Sequence, residues 1–243
     1  MAGIEIKNVY KSFAVDGKAL PVLKGINLEL PENKITVLLG KSGCGKTTLL
    51  RIVGGLESPD QGEILFHVPH KTAFVFQEPR LMPWLSVWKN VVFGLKKEDI
   101  RASDIQAIIG TVGLSGFEKA LPGQLSGGMQ HRVAIARALA YHPSFIMMDE
   151  PFAALDYFTR EQMQKELLLV QREQNASILF VTHSLDEALI LADRIAVIMD
   201  GVVHTVLDIP VKKETRDLMD DSMISLKRKI LVTLDIHAES DGA

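Results

Sequence analysis

Glycine, lysine and threonine are concentrated in one short stretch of the chain, LLGKSGCGKTTLL, residues 38–50. Within it, residues 40–47 match the pattern G-x-x-x-x-G-K-[ST], whose glycines let the backbone wrap closely around an anion. Lys46 can neutralise phosphate oxygens, and the hydroxyl of Thr47 can bind Mg²⁺. The apolar segment before the pattern and the helical one after it favour a phosphate-binding loop over a chance glycine-rich turn. The predicted phosphate-binding residues are Gly40, Lys41, Ser42, Gly43, Cys44, Gly45, Lys46, Thr47 and Thr48.

A second candidate anion site lies further along the chain in LSGGMQHRVAIARALA, residues 125–140. Ser126, Gly127 and Gly128 come directly before a segment with a helical pattern. The N-terminus of a helix carries a partial positive charge and backbone N–H groups that favour negatively charged ligands. The sequence therefore predicts a second helix whose first turn can hold an anion.

Two carboxylates and a histidine follow two predicted strands. The apolar run FIMMDEP leads to Asp149 and Glu150, and the run SILFVTH leads to His183. In open parallel sheets, ligands collect at the carboxyl ends of the strands. The Asp149 carboxylate can hold the coordination shell of Mg²⁺, and the Glu150 carboxylate can polarise a water molecule.

In this order along the chain, the motifs resemble those of the nucleotide-binding subunit of ABC transporters, over about residues 3–205. The resemblance implies an ATPase that binds ATP and Mg²⁺. Beyond the phosphate-binding loop, it assigns contacts with ATP to Phe13, Ser126, Gly127, Gly128 and Asp156. It assigns Mg²⁺ to Thr47, Gln77 and Asp149, and catalysis to Lys46, Gln77, Glu150 and His183.

The sequence departs from the family pattern at three places. Met129 follows the signature glycines where the family consensus has glutamine, and this variant is similar to the nitrate, sulfonate and taurine importer branch. The segment FQEPRLMPWLSVWKNVVFGL is also close to that branch. Phe13 stands where many relatives carry tyrosine or tryptophan, so that stacking on adenine is kept without a hydroxyl. The segment between GEILF and TAFVFQ is shorter than usual.

The resemblance also implies partners. In the family, each ATP lies between the phosphate-binding loop of one subunit and the signature of another, so a homodimer is expected. A transmembrane permease, gripped near Gln77 and LMPW, and an external substrate-binding protein complete the expected importer. The expected location is peripheral, on the cytoplasmic face of the membrane. The expected cargo is a small molecule such as nitrate, a sulfonate or taurine, and no nucleic acid partner is expected.

Strands that alternate with helices predict an α/β fold with βαβ units. Together with the resemblance, this gives a P-loop NTPase fold of the RecA-like type. Its parts are a mainly parallel sheet core, an N-terminal antiparallel β subdomain and a helical subdomain inserted at about residues 80–140. The expected ABC ATPase domain spans residues 1–205, and residues 206–243 form a tail with a basic helix. Residues 31–33 are predicted to be a hairpin turn.

Several residues also allow a purely structural interpretation. Phe13 can be a rim or core aromatic, and Gln77 can cap a turn at a strand end. Asp156 can cap the helix that begins near YFTREQ. Pro83 and Trp84 can be surface packing, and the basic tail helix can simply present a solvated face.

Other classes of protein remain open alternatives at this point. A soluble ABC ATPase of translation or DNA repair is one, although neither a second cassette nor a long coiled coil is present. A P-loop kinase is another, but it would not need LSGG, and a GTPase would need N-K-x-D after the loop. The net charge of -3 gives no global field for nucleic acid, and a single cysteine fits a reducing compartment. The N-terminus lacks a secretory pattern, and the longest apolar stretches fall short of roughly 18 residues.

Overall fold

The structure is a computed structural model that describes residues 2–67, 70–153, 155–213 and 216–235. Its N-terminal sheet is antiparallel and has the strand order β2-β1-β4. The strands are β1 (Ala2–Val15), β2 (Lys18–Pro31) and β4 (Gln61–Phe66). Ile26, Leu28 and Leu30 are buried and alternate with exposed neighbours. The predicted half-buried strands of an antiparallel subdomain are therefore confirmed.

The second sheet has six strands in the order β5-β6-β7-β3-β8-β9. They are β3 (Ile35–Leu39), β5 (Thr72–Val75), β6 (Phe145–Asp149), β7 (Ser177–Thr182), β8 (Arg194–Met199) and β9 (Val202–Asp208). The first five strands pair in parallel, and β9 pairs antiparallel with β8. Every residue of β3, β6 and β7 is buried, as is usual for a parallel sheet covered on both faces. The predicted P-loop NTPase core is confirmed.

The described part of the chain contains seven α-helices. They are α1 (Lys46–Val53), α2 (Val87–Val91), α3 (Ala102–Thr111), α4 (Gly127–Ala140), α5 (Tyr157–Gln174), α6 (Leu185–Leu191) and α7 (Asp221–Asp235). Short 3-10 helices occupy Lys97–Asp99 and Pro122–Gln124. Helices α2, α3 and α4 lie between β5 and β6 along the chain and pack on one another, which confirms a helical insertion. Helix α4 also packs on β5 and so joins the insertion to the core.

The predicted hairpin turn at residues 31–33 is wrong, because β2 and β3 belong to different sheets. The chain does turn there, with Asn33 at φ 55 and its backbone N–H donating to Ser177 Oγ at 2.8 Å. The hairpin joins β1 to β2 instead, at Asp16 and Gly17, which both have positive φ. The apolar pattern after the turn belongs to β3, which is buried on both faces and therefore pairs within the parallel sheet.

The C-terminal tail contains the predicted basic helix, α7, and one face of it is buried. Met223 and Ile230 belong to the main hydrophobic core, and Lys227 pairs with Asp186 of α6. The helix therefore does more than present a solvated face. Strand β9 runs through residue 205, at which the ABC ATPase domain is predicted to end, and the division into domains stays a prediction. None of the helices in the described ranges has the length and apolar character needed to cross a bilayer.

Candidate functional site

The predicted phosphate-binding loop connects β3 to α1, and two of its glycines are required by close contacts. A Cβ atom on Gly40 would lie 2.2 Å from the backbone oxygen of Ile198. Gly45 adopts φ 103 as the N-cap of α1, and a Cβ atom there would lie 2.7 Å from Leu23 Cδ2. Because these neighbours belong to packed strands, a side chain at either position would displace the loop.

Lys46, the first residue of α1, is almost fully buried within the phosphate-binding loop. Its Nζ donates to the backbone oxygens of Gly40 and Lys41, both at 2.8 Å, and lies 3.7 Å from Cys44 Sγ. The ammonium group is thus held at the centre of the loop by carbonyl oxygens. A positive charge in this position can meet an anion that the loop encloses.

The loop opens onto a cavity of about 500 Å³. The structure brings ten of the predicted site residues together around it: Phe13, Ser42, Gly43, Gly45, Lys46, Thr47, Thr48, Gln77, Glu150 and His183. Phe13 lies on the N-terminal sheet and is 39% exposed, with Lys11 Nζ 5.4 Å from its ring centroid. An aromatic face at the edge of a phosphate-binding cavity can stack on a nucleotide base.

Asp149 ends β6 and is buried beneath the cavity. Thr47 Oγ1 donates to Asp149 Oδ1 at 2.9 Å, which joins the second helical residue of α1 to the strand. Burial raises the pKa of the Asp149 carboxyl, whereas the hydrogen bond from Thr47 and the charge of Arg51 lower it. A hydroxyl and a carboxylate in contact are hard oxygen donors, which is the chemistry that Mg²⁺ prefers.

Glu150 has the left-handed backbone angle φ 43, which a residue with a side chain rarely adopts. Its backbone N–H donates to the oxygen of Val181 at 3.0 Å, so that the turn is fixed to the neighbouring strand β7. His183 follows β7, and its Nδ1 lies 3.0 Å from Glu150 Oε2. The structure therefore sets a carboxylate and an imidazole in contact at the carboxyl edge of the sheet.

Beyond the phosphate-binding loop and Asp149, four predicted site residues do not line this cavity: Ser126, Gly127, Gly128 and Asp156. The Ser126 hydroxyl caps α4 by accepting from the backbone N–H of Met129 at 3.3 Å. Asp156 caps α5 by accepting from Thr159 N–H at 3.1 Å, as the structural interpretation of this residue predicts. Ala154, two residues before Asp156, lies outside the described residues.

The remaining predicted loop residues lie around the cavity rather than on it. The carbonyl of Gly40 accepts from Lys46 Nζ, and Lys41 and Cys44 line a neighbouring cavity of about 360 Å³. Sequence reasoning missed Val22, which lines the main cavity from strand β2. An apolar residue within an alternating strand gives no chemical signal of such a position.

Sequence reasoning also missed two polar residues beneath His183. Thr182 Oγ1 donates to Glu187 Oε2 at 2.6 Å, and both side chains are buried. Burial raises the pKa of the Glu187 carboxyl, while the hydrogen bond from Thr182 lowers it. A glutamate in the first turn of a helix is usually explained by the helix dipole, so its sequence position alone does not reveal this contact.

The fold and the cavity together define a P-loop nucleotide-binding protein. A family model described as ABC transporter matches residues 23–153. The chain belongs to the ABC transporter ATP-binding family, whose members are ATPases.

Individual relatives match almost the whole chain. An uncharacterised ABC transporter ATP-binding protein of Methanocaldococcus jannaschii is 43% identical over 94% of this chain and 90% of its own. The aliphatic sulfonates import ATP-binding protein SsuB 3 of Nocardia farcinica is 39% identical over 98% of this chain and 94% of its own. A dimeric ATP-binding cassette, solved after hydrolysis with ADP and Pi bound, gives a TM-score of 0.77 at 31% identity. The match covers 86% of this chain and 100% of the cassette.

Proposed function

We propose that this ATPase powers an importer of a small molecule of the aliphatic sulfonate, taurine or nitrate type, through a partner permease. The observation that carries this proposal is the 39% identity to an aliphatic sulfonates import ATP-binding protein over 98% of the chain. An external substrate-binding protein would supply the cargo, and the ATPase would lie on the cytoplasmic face of the membrane. A translation or repair ATPase and a small-molecule kinase gain no support from these relatives.

Two copies of the chain would form the working unit. The cavity of one copy holds Lys46, Glu150 and His183, whereas the signature residues Ser126 and Gly128 lie outside it. A site shared between copies accounts for this separation, because the signature of one copy would close the cavity of the other. The dimeric state of the structurally similar cassette supports the same arrangement.

Thr47 and Asp149 would hold Mg²⁺, with Gln77 at the cavity beside them. The contact between Thr47 and Asp149 fits Mg²⁺. Burial raises the pKa of the Asp149 carboxyl, which means that burial disfavours its charged form, and a bound divalent cation would stabilise that charge. Bound Mg²⁺ supplies charge neutralisation for the phosphate oxygens of ATP. The described residues contain no group of three or more His, Cys, Asp or Glu side chains that could hold a metal ion by themselves. A Mg²⁺ site completed by phosphate oxygens does not need such a group.

The residues of the chain would then carry out hydrolysis largely by positioning and charge. Lys46 neutralises the β- and γ-phosphates, and the loop glycines bring backbone N–H groups close to them. Glu150 accepts a proton from the water that attacks the γ-phosphorus, as the bond to ADP breaks. His183 would orient Glu150 through their 3.0 Å contact and help to balance the charge of the γ-phosphate.

The permease would dock on the segment LMPW of the helical insertion. Asn90 is fully buried and holds this segment, since its amide accepts from Met82 N–H at 2.8 Å and donates to Leu85 O at 2.8 Å. Trp84 projects from the segment and is 72% exposed. An exposed tryptophan on a firmly held loop is the type of residue that contributes strongly to protein–protein binding.

We expect Trp84→Ala to weaken coupling to the permease without changing the ATPase itself. In proteoliposomes with the permease and its binding protein, uptake of an aliphatic sulfonate should fall about tenfold. Hydrolysis by the isolated protein should stay at the wild-type rate, because Trp84 does not line the cavity. The control is Val206→Ala, an exposed apolar side chain on β9 that should change neither quantity. Wild-type uptake by the Trp84 variant would reject this surface as the docking site.

The cargo itself is tested by purifying the membrane complex and identifying the molecule that its binding protein carries.

A further inference from the structure

The backbone on both sides of His183 is held by one hydroxyl group. His183 itself is 59% exposed, so packing alone does not fix it. Thr182 Oγ1 accepts from the backbone N–H of Ser184 at 3.0 Å and donates to Glu187 Oε2 at 2.6 Å. The turn that carries the histidine is therefore tied to a buried carboxylate of α6.

The same carboxylate faces a cation from a different element. Glu187 Oε1 lies 3.6 Å from Arg160 Nε, and Arg160 belongs to the first turn of α5. The Nη2 atom of Arg160 donates to the backbone oxygen of Leu155 at 2.9 Å. Leu155 immediately precedes Asp156, the capping residue of α5. A path of polar contacts thus runs from the turn before α5 to the residues that flank His183, with an ion pair rather than a hydrogen bond between Arg160 and Glu187.

Burial makes this path sensitive to the loss of any one member. Thr182 and Glu187 are both buried, and a buried polar group without a partner is costly. The Thr182 hydroxyl connects the Glu187 carboxylate to the histidine turn through two contacts, and the backbone N–H of Glu187 also donates to Ser184 Oγ at 3.3 Å. Removal of the Thr182 hydroxyl can therefore shift the His183 imidazole relative to Glu150 while the sheet stays folded.

We propose that Thr182 and Glu187 are positioning residues that hold His183 against Glu150, and that Arg160 links them to the turn at Leu155. The inference rests on the proposed function, since it assumes that His183 takes part in ATP hydrolysis. It extends that function from the residues at the cavity to a buried network beneath them. In a dimer, the second copy would contact Asp156 in the turn before α5. A displacement of that turn would then shift His183 through the contacts of Arg160, Glu187 and Thr182.

The test compares Thr182→Val, which removes the hydroxyl at nearly constant shape, with Thr182→Ser, which keeps it. We expect Thr182→Val to lower kcat for Mg-ATP by about tenfold to a hundredfold, because misplacement of a catalytic group by an ångström has effects of this size. KM should change by less than about twofold, because binding groups in the cavity stay in place. Thr182→Ser should restore kcat. Glu187→Gln, which keeps an oxygen for Thr182 but loses the charge facing Arg160, should also lower kcat at constant KM.

The decisive measurement repeats Thr182→Val in a His183→Ala background, with single-turnover hydrolysis of labelled ATP. A positioning residue that acts through His183 should cause no further loss there. An equal loss with and without His183, or a wild-type kcat for both Thr182→Val and Glu187→Gln, would overturn the proposal. The control is Asp186→Asn, which breaks the exposed pair with Lys227 on α6 and should leave kcat unchanged. Failure of the premise is distinguishable, because His183→Ala alone would then hydrolyse ATP at the wild-type rate, and failure of the import proposal would leave these hydrolysis rates as predicted.

Discussion

We expect Glu150→Gln to lower the turnover of ATP hydrolysis by about a hundredfold to ten-thousandfold, the range typical of lost general-base catalysis. Glutamine keeps the size of the side chain and can hydrogen-bond to His183, but it cannot accept a proton from water. Glu150 is set for this role by its backbone at φ 43 and by the 3.0 Å contact with His183. Phosphate release after a single turnover measures the effect.

Binding of ATP by the Glu150 variant should remain at the wild-type level, because Lys46 and the loop glycines are unchanged. Size-exclusion chromatography with Mg-ATP should show dimers that persist, since the bound nucleotide is not consumed. The matched control is Glu161→Gln, an exposed glutamate of α5 that pairs with Lys165. If the Glu150 variant hydrolysed ATP at the wild-type rate, Glu150 would not be the base.

Lys46→Ala should weaken binding of ATP by about a hundredfold or more, because truncating a buried, hydrogen-bonded charge typically costs several kcal/mol. The ammonium of Lys46 is buried at the centre of the loop, 2.8 Å from each of two carbonyl oxygens. Its loss removes the charge that meets the phosphates and leaves those carbonyl oxygens without this donor. Isothermal titration with ATP measures the change in affinity.

Two further measurements make the Lys46 result specific. Lys165→Ala removes an exposed lysine on α5 and should bind ATP like the wild type. Thermal unfolding of the Lys46 variant without nucleotide tests whether the loop variant is folded. A folded Lys46 variant with undiminished affinity would show that the loop is not the phosphate-binding element.

Much of the site could be predicted from the sequence because its parts are local. The phosphate-binding loop is a contiguous motif, so that its glycines and Lys46 need only β3 and α1 around them. Asp149 and His183 each follow a buried apolar run, and β6 and β7 are neighbours in the parallel sheet. The ends of these runs were therefore sufficient to place the carboxylates and the histidine at one edge.

The remaining features depend on contacts between distant residues. The turn at Asn33 could not be distinguished from a hairpin, because only the burial of both faces of β3 assigns that strand to the other sheet. The contacts of Thr182 with Glu187, and of Glu187 with Arg160, join three separate elements and leave no pattern in the sequence. Ser126 and Asp156 cap helices and do not line the cavity of their own copy, so their predicted contacts with ATP are proposed to come from a second copy.

Cross-linking between two differently labelled copies tests most directly whether one nucleotide site is built from both. Cys44 is the only cysteine, so Cys44→Ser gives a cysteine-free background, to which Glu150→Gln is added to block hydrolysis. One population then carries Ser42→Cys beside the cavity, and the other carries Ser126→Cys at the start of α4. Both positions are exposed and can react with a short bifunctional maleimide.

With Mg-ATP, the mixed populations should form a covalent dimer that contains one copy of each, and without nucleotide this product should be scarce. Such a result is predicted if Ser126 of one copy closes the cavity of the other. If Mg-ATP produced no mixed dimer, while a chain carrying both cysteines linked only to itself, the shared nucleotide site would be contradicted.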